Sequence, residues 1–425
     1  MPQIQTVGQK IKFLIRAAGG FLCLIFVGLQ DSSAQSVFHI QVDAGIYARQ
    51  HTVVQFQFPE DIAEGSYTLT RSEGTAVALQ IDHQNRGWFI LDALSAGTSA
   101  IFTLDYTAQR HTEATSRVVP AEQTVQLHKD GATLTLSSGG TPVLSYYLAP
   151  NSPPEGLDER YRRGGYIHPV YSPSGSILTN HLNVEQHPHH AGIWSAWTRT
   201  VFDGNRPDFW NVHQNTGRVD VDSLLHAWDG PVTGGFVSRH QFKDLTGSDP
   251  VVALNELWEV RVFAASEQQS VRYFDLTVTQ TANTDKPLFL PEYHYGGVGF
   301  RGNKSWDDPS MVQFLTAEGL GRDGHAARTR WVHIGGNIGE AQAGIAILGY
   351  PANHRFPQTV RIHPSEPFFN FAPTQLGDMA IHPGVPYVTK LRFITMDGTP
   401  DTNLIEQIWR DFAYPPGVTV RKKLE

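Results

Sequence analysis

Trp258-Glu259-Val260-Arg261-Val262 and, eleven residues on, Tyr273-Phe274-Asp275-Leu276-Thr277-Val278 decide the fold class. In both, apolar and polar positions alternate: Trp258, Val260 and Val262 against Glu259 and Arg261, then Phe274, Leu276 and Val278 against Tyr273, Asp275 and Thr277. Successive side chains of a strand point to opposite faces, so each stretch reads as a strand with one face in a core. Ala343 to Gly349 and Tyr387 to Ile394 continue the pattern. Upstream, Gly131 to Ser137 and Pro142 to Tyr147 flank Gly139-Gly140, the signature of a hairpin. Residues 118–425 are therefore expected to form a large antiparallel two-sheet unit of supersandwich type rather than alternating βα units. One helix is expected, capped at Asp401 or Thr402 and running to Arg410, with Leu404, Ile405, Ile408 and Trp409 on its apolar stripe.

Residues 35–117 read as a separate small β-sandwich. Val53 to Phe58, Ser66 to Thr70, Gly87 to Leu91 and Ala100 to Tyr106 are strand-like, and Glu64-Gly65, Glu73-Gly74 and Ala96-Gly97 separate them. Val118 to Gln123, containing Pro120, reads as a linker. The fold class expected is all-β, with two sandwiches and a short C-terminal helix.

The first 34 residues read as a cleaved secretory signal. Lys10, Lys12 and Arg16 precede an apolar run from Ala17 to Leu29, and Ser32-Ser33-Ala34 puts small residues before a cut near Ala34. That run is shorter than the ~20 apolar residues of a spanning helix. The expected location is periplasmic or extracellular, without stable membrane insertion. The single cysteine, Cys23, falls inside this run, so the exported chain has no disulfide. With 23 Phe, 14 Tyr and 9 Trp among 425 residues, the chain is too apolar to be disordered. Losing three basic residues and Asp31 moves the net charge from −8 to −10. Nucleic acid, which needs a basic footprint, is not an expected partner. Composition does not indicate an oligomeric state.

The chemistry is expected where histidine crowds. Six of the 19 histidines, His168, His181, His187, His189, His190 and His213, fall within 46 residues. The densest part is His187-Pro188-His189-His190-Ala191-Gly192-Ile193-Trp194. In extended chain, His187 and His189 would share a face and His190 would take the other, while Pro188 points to an edge or loop. A second cluster is Pro291-Glu292-Tyr293-His294-Tyr295-Gly296-Gly297-Val298-Gly299-Phe300-Arg301. There Glu292 and His294 would share a face as an acid–base pair, and Arg301 would stabilise developing negative charge. Trp194, Trp197, Phe209 and Trp210 are candidate platforms for sugar rings, although such aromatics more often belong to a core. Tyr166, His168, Asp208, Asn211, Asn353 and His354 are candidate polar contacts. No Walker loop, G-x-S-x-G or H-E-x-x-H occurs, and no G-x-G-x-x-G follows a strand to open a helix, which argues against nucleotide enzymes, α/β-hydrolases and zincins.

Tyr166-Ile167-His168-Pro169, Ser172-Pro173-Ser174-Gly175, the His187 to Trp194 block and Asp208-Phe209-Trp210 resemble a bacterial family of unknown function commonly labelled "methane oxygenase PmoA". Gly344-Ile345-Ala346-Ile347, Asn353-His354-Arg355-Phe356-Pro357 and Phe368 to Pro373 resemble its C-terminal blocks. The resemblance covers most of residues 120–400. It implies a secreted protein of carbohydrate-degrading bacteria, whose large unit is similar to the galactose-mutarotase-like supersandwich. Methane oxygenation is not expected, because the enzyme subunit of that name is an integral membrane protein.

Three functions are carried forward. The leading one is an exported sugar epimerase, lyase or hydrolase using acid–base catalysis, with His187, His189, His190, Glu292, His294 and Arg301 as catalytic candidates. No cofactor is required for it. The second is a metal-dependent oxidoreductase or hydrolase, whose divalent ion would be held by His187, His189, Glu292 and His294. The third is a non-catalytic glycan-binding protein.

Overall fold

The computed structural model describes residues 35–62, 65–107, 124–265 and 270–423. The expected signal segment, with its cut near Ala34, and the expected linker 118–123 lie outside these residues. The described chain is built of antiparallel strands and one α-helix. Among the described residues no helix is long and apolar enough to cross a membrane.

Two eight-stranded sheets carry the larger part. One, here the front sheet, runs Val360–Ile362, Phe368–Phe371, Gly297–Arg301, Ile193–Ala196, Ile167–Val170, Thr141–Tyr147, Thr133–Ser138, Val125–Asp130. The other, the back sheet, runs Gly217–Trp228, Thr233–Asp244, Val251–Phe263, Val271–Ala282, Tyr387–Asp397, Ala341–Gly349, Trp331–Ile338, Val312–Thr316. The alternation in sequence becomes the core between them. Trp258, Val260, Val262, Phe274, Leu276 and Val278 of the back sheet face Ile167, Ile193, Phe300, Phe369 and Phe371 of the front sheet in one buried cluster. Gly139 and Gly140 both take positive φ, 64° and 74°, as the predicted tight hairpin between Thr133–Ser138 and Thr141–Tyr147 requires.

The polar half of the same alternation covers the other face of the back sheet. Asp275 accepts two hydrogen bonds from Arg392 at 2.6 and 2.9 Å, and the Arg261 guanidinium lies 4.2 Å from the Trp88 ring and 4.6 Å from the Trp228 ring. The helix, Thr402–Ala413, seals this face with Ile405, Ile408, Trp409 and Phe412. It is capped by Asp401, whose carboxylate accepts from Asn403 N and Leu404 N, and it continues one turn beyond Arg410.

Residues 35–107 form two facing sheets. One has the order Gly417–Lys422, Gln35–Asp43, Ser99–Thr107, Ser66–Arg71, Ala76–Val77, and the other Arg49–Gln57, Arg86–Leu94, Gln80–Ile81. Ile40, Val42, Phe89, Phe102 and Leu104 fill the space between them. The C-terminal strand Gly417–Lys422 pairs with Gln35–Asp43, so the chain closes on its N-terminal sandwich after completing the large one.

Candidate functional site

The front sheet has a second face, and the site stands on it. In Gly297-Val298-Gly299-Phe300-Arg301, Val298 and Phe300 turn toward the core, which leaves Gly299 and Arg301 outward. Antiparallel partners in register share a face. Arg301 pairs with Phe368, while Gly299 pairs with Trp194 on one side and with Asn370 on the other, and Asn370 pairs with Arg361. Arg361, Asn370, Gly299 and Trp194 therefore form one row. A Cβ at Gly299 would come within 2.8 Å of Trp210 and 2.9 Å of Trp194, so glycine is what lets the indoles lie on the sheet.

His187 to His190 sit in a turn and not in extended chain. The His190 amide donates to the His187 carbonyl at 3.0 Å, and the excursion is closed where Leu182 N donates to His190 O. At its end Gly192 takes φ 57°, and a Cβ there would fall 2.1 Å from the Ile167 carbonyl oxygen. The turn brings all three imidazoles together instead of sending His190 to the opposite face: the ring centroids are 5.4 Å apart for His187 and His189, 4.8 Å for His187 and His190, and 4.6 Å for His189 and His190.

His187 Nε2 lies 2.9 Å from Glu366 Oε1. The side chains are 38% and 13% exposed, so the pair opens to solvent on the histidine side. The other Glu366 oxygen accepts from Arg301 Nη1 at 2.6 Å. Arg301, 1% exposed, also donates from Nη2 to Asp307 Oδ1 at 2.5 Å and to Gln186 Oε1. Asn183 Nδ2 completes this base with a 2.9 Å bond to Asp307. Burial pushes Glu366 up, but the hydrogen bond from His187 and the Arg301 charge outweigh it and hold the carboxyl at about 2. Burial raises Asp307 despite Arg301.

His363, three residues before Glu366, completes the group. Its Nδ1 accepts from Glu366 N at 3.0 Å and Ser365 N at 3.4 Å, which puts the ring proton on Nε2. Burial holds His363 at about 4 and His189 at about 3, so both are neutral near pH 7. The atoms of His187, His363 and Glu366 that could bind a metal all lie within 4.8 Å of one another.

Residues 133–410, about two thirds of the chain, match one family's sequence profile from the second strand of the large sandwich into the helix. The chain belongs to DUF6807, a family of unknown function. No curated protein matches the chain.

Within this DUF6807 region several residues singled out by sequence take other places. Glu292 is exposed; its amide donates to Asp378 at 2.7 Å. His294 is exposed and packs on Tyr293 and Tyr295, with ring centroids 4.3 and 4.8 Å away. Neither belongs to the group that could hold a metal, where His363 and Glu366 stand instead. His190 is buried between Trp194 and Phe368, each stacked 5.0 Å from it, and burial keeps it neutral; it forms a wall of the site. Trp194, Trp197, Phe209 and Trp210 are at most 2% exposed, so they are core and not open platforms. Asp208 accepts from Trp210 N and Asn211 N at 2.9 and 2.7 Å and organises their loop. Asn353 binds both the amide and the carbonyl of Lys390, at 2.8 Å each, while His354 is exposed beside Tyr387.

His168 and Tyr166 belong to a neighbouring group. His168 Nδ1 shares a hydrogen with Thr179 Oγ1 at 2.9 Å, its ring stacks 4.0 Å from His181, and burial holds it at about 3. Tyr166, fully buried, bonds His181 Nδ1 at 3.0 Å. The sequence reading missed His363, Glu366, Asp307, Gln186 and Arg361. The available signal was His363-Pro364-Ser365-Glu366-Pro367, an imidazole and a carboxylate three residues apart in a proline-bounded turn.

Proposed function

We propose that this is an exported carbohydrate-active enzyme working by acid–base catalysis, with His187 and Glu366 as its proton-handling pair. The observation that carries the reading is their 2.9 Å contact at a solvent-open edge, backed by a buried arginine. Glu366, a carboxylate at neutral pH, fixes the Nε2–H of His187 and leaves Nδ1 to take or give a proton. Arg301 acts through Glu366 as a positioning residue. Neutral His363 supplies an Nε2–H donor. Imidazole, phenol and amide groups suit a hydroxyl-rich substrate, and the partly exposed rings of Tyr293, His294 and Tyr295 offer faces for the apolar side of a sugar. The paired sheets are consistent with the galactose-mutarotase-like supersandwich that the sequence resembles.

Epimerisation, elimination and glycoside hydrolysis each move a proton at a sugar. A panel of oligosaccharides in deuterated water separates them: exchange at carbon, an unsaturated product, or a new reducing end. Glu366→Gln and His187→Asn are expected to lower the rate 10²- to 10⁴-fold, the contribution typical of one acid–base group. Unchanged rates in both refute the assignment.

The compact His187, His363 and Glu366 group supports a second reading, a catalytic divalent metal. Bonds of 2.0–2.2 Å in tetrahedral geometry separate two ligand atoms by about 3.3–3.6 Å, a few tenths of an ångström more than the 2.9 Å between His187 Nε2 and Glu366 Oε1. The His363 tautomer favours the metal-free reading: Nδ1 is occupied by amide hydrogens and Nε2 carries the proton, so neither lone pair is free for an ion. Metal content below about 0.1 per chain, with rates unaffected by chelator, sinks the metal reading.

A further inference from the structure

The direct ionic contacts around His187 and Glu366 leave one guanidinium unpaired. Both Glu366 oxygens are engaged, one by His187 and the other by Arg301, and Arg301 is further neutralised by Asp307. Arg361 remains. It stands on the outer face of the front sheet in register with Asn370, two residues before His363. Among the described residues its guanidinium makes neither an ion pair nor a hydrogen bond, and its Nε is buried without a partner. Its surroundings are those of the site: its charge acts on His363 and His294, and it feels Tyr293, Tyr295 and Glu366.

A second guanidinium, that of Arg163, acts on the same histidine turn. Arg163 has Nε and Nη2, the two donors of one edge, buried and unpartnered, and its charge acts on His189. Its loop is tied to the neighbourhood of His189 by the 2.7 Å bond from Arg160 Nη1 to the His213 carbonyl and by the 5.8 Å approach of His213 to His189. Arg163 has the charges of Glu256 and Asp220 close by, so Arg361 is the guanidinium whose buried, unpaired Nε marks a place where an acceptor is expected from outside, because desolvating such a donor without a partner is costly.

We propose that Arg361 recognises an anionic group and that the substrate is an acidic sugar, bearing a single carboxylate or sulfate beside the hydroxyls that His187 and Glu366 handle. The inference rests on the acid–base reading of that site. A group of single charge fits better than a phosphate dianion, which Glu366 would repel.

The test is equilibrium binding of glucuronate, glucose 6-sulfate and glucose to the full chain at low ionic strength, by calorimetry or ligand-observed NMR. At least one acid is expected to bind roughly 10- to 100-fold more tightly than glucose, the range for a charge-assisted hydrogen bond, and which acid wins separates carboxylate from sulfate. Arg361→Met is expected to erase the preference, while Glu366→Gln keeps it. Equal affinities in the wild type, no binding of any of the three, or a preference that survives in Arg361→Met overturn the proposal. Should Arg361→Met fail to fold, salt decides: the acid's affinity falls as salt rises and glucose's does not, whereas a salt-insensitive preference overturns it. Turnover of neutral sugars alone refutes the inference and leaves the acid–base reading standing. Acid binding that Arg361→Met abolishes, without turnover of any sugar, upholds the subsite and refutes catalysis.

Discussion

Lowering the pH from 7.5 to 5 should destabilise this protein steeply, because its fold keeps histidines neutral. Burial holds His333, 3% exposed, at about 4, and holds His168 and His189 at about 3. In the unfolded chain each takes a proton near the ordinary ~6.5. Between that value and the folded one the unfolded state binds more protons, so the stability present above ~6.5 is lost as pH falls toward 3–4. At pH 5 a fully buried histidine of this kind has lost about 2 kcal/mol, from 1.36 kcal/mol for each of ~1.5 units. His333 contributes that amount. His168 and His189, partly exposed, are discounted by half for solvent screening, so these three alone give about 4 kcal/mol. Glu366 adds its own loss only below the ordinary carboxylate range, as the pH falls toward 2. Urea unfolding followed by tryptophan fluorescence measures the effect. With a slope of about 3 kcal/mol per molar, the midpoint should fall by more than 1 M. A midpoint that agrees within about 0.3 M at the two pH values refutes the claim that these imidazoles are neutral in the fold.

Other outcomes follow from particular contacts. Glu256 is fully buried and accepts from Ser195 Oγ at 2.6 Å and Gln280 Nε2 at 2.7 Å while pairing with His240 Nδ1 at 2.8 Å. Glu256→Ala should therefore cost about 3–5 kcal/mol in denaturant unfolding, and a loss below about 1 kcal/mol would show that the network is not formed. Asp401→Ala removes the helix cap and should cost about 0.5–2 kcal/mol by the same assay. Gly192→Ala, forced against the Ile167 carbonyl at positive φ, should displace the histidine turn and lower sugar binding; unchanged affinity would show that the turn does not shape the site.

The strands were legible because their physics is local. The alternation at Trp258 to Val262 and Tyr273 to Val278 needs only the two-residue period of a strand, and the Gly139-Gly140 hairpin needs only backbone sterics. The pairing of Gly417–Lys422 with Gln35–Asp43 was not legible, since nothing in either segment names a partner at the far end of the chain. The histidine cluster was visible as composition, but its geometry was not: Pro188 pointed to a loop, and only the His187–His190 turn shows that all three rings converge. Glu292 looked the natural carboxylate because His294 stands beside it in sequence. Glu366 takes that place because the hairpin of Val360–Ile362 and Phe368–Phe371 delivers its loop to Arg301. The indoles looked like sugar platforms, but Trp210 packs over Gly299 and buries Trp194.

His187 and Glu366 are proposed to form one proton-handling pair. The carboxyl ¹³C resonance of Glu366, assigned through Glu366→Gln, tests it most directly. Glu366 is expected to stay ionised from pH 7 to pH 5 and down to the onset of acid unfolding, because the His187 hydrogen bond and the Arg301 charge hold the carboxyl at about 2. A midpoint at the ordinary ~4.3 would show a free carboxylate and contradict the pair.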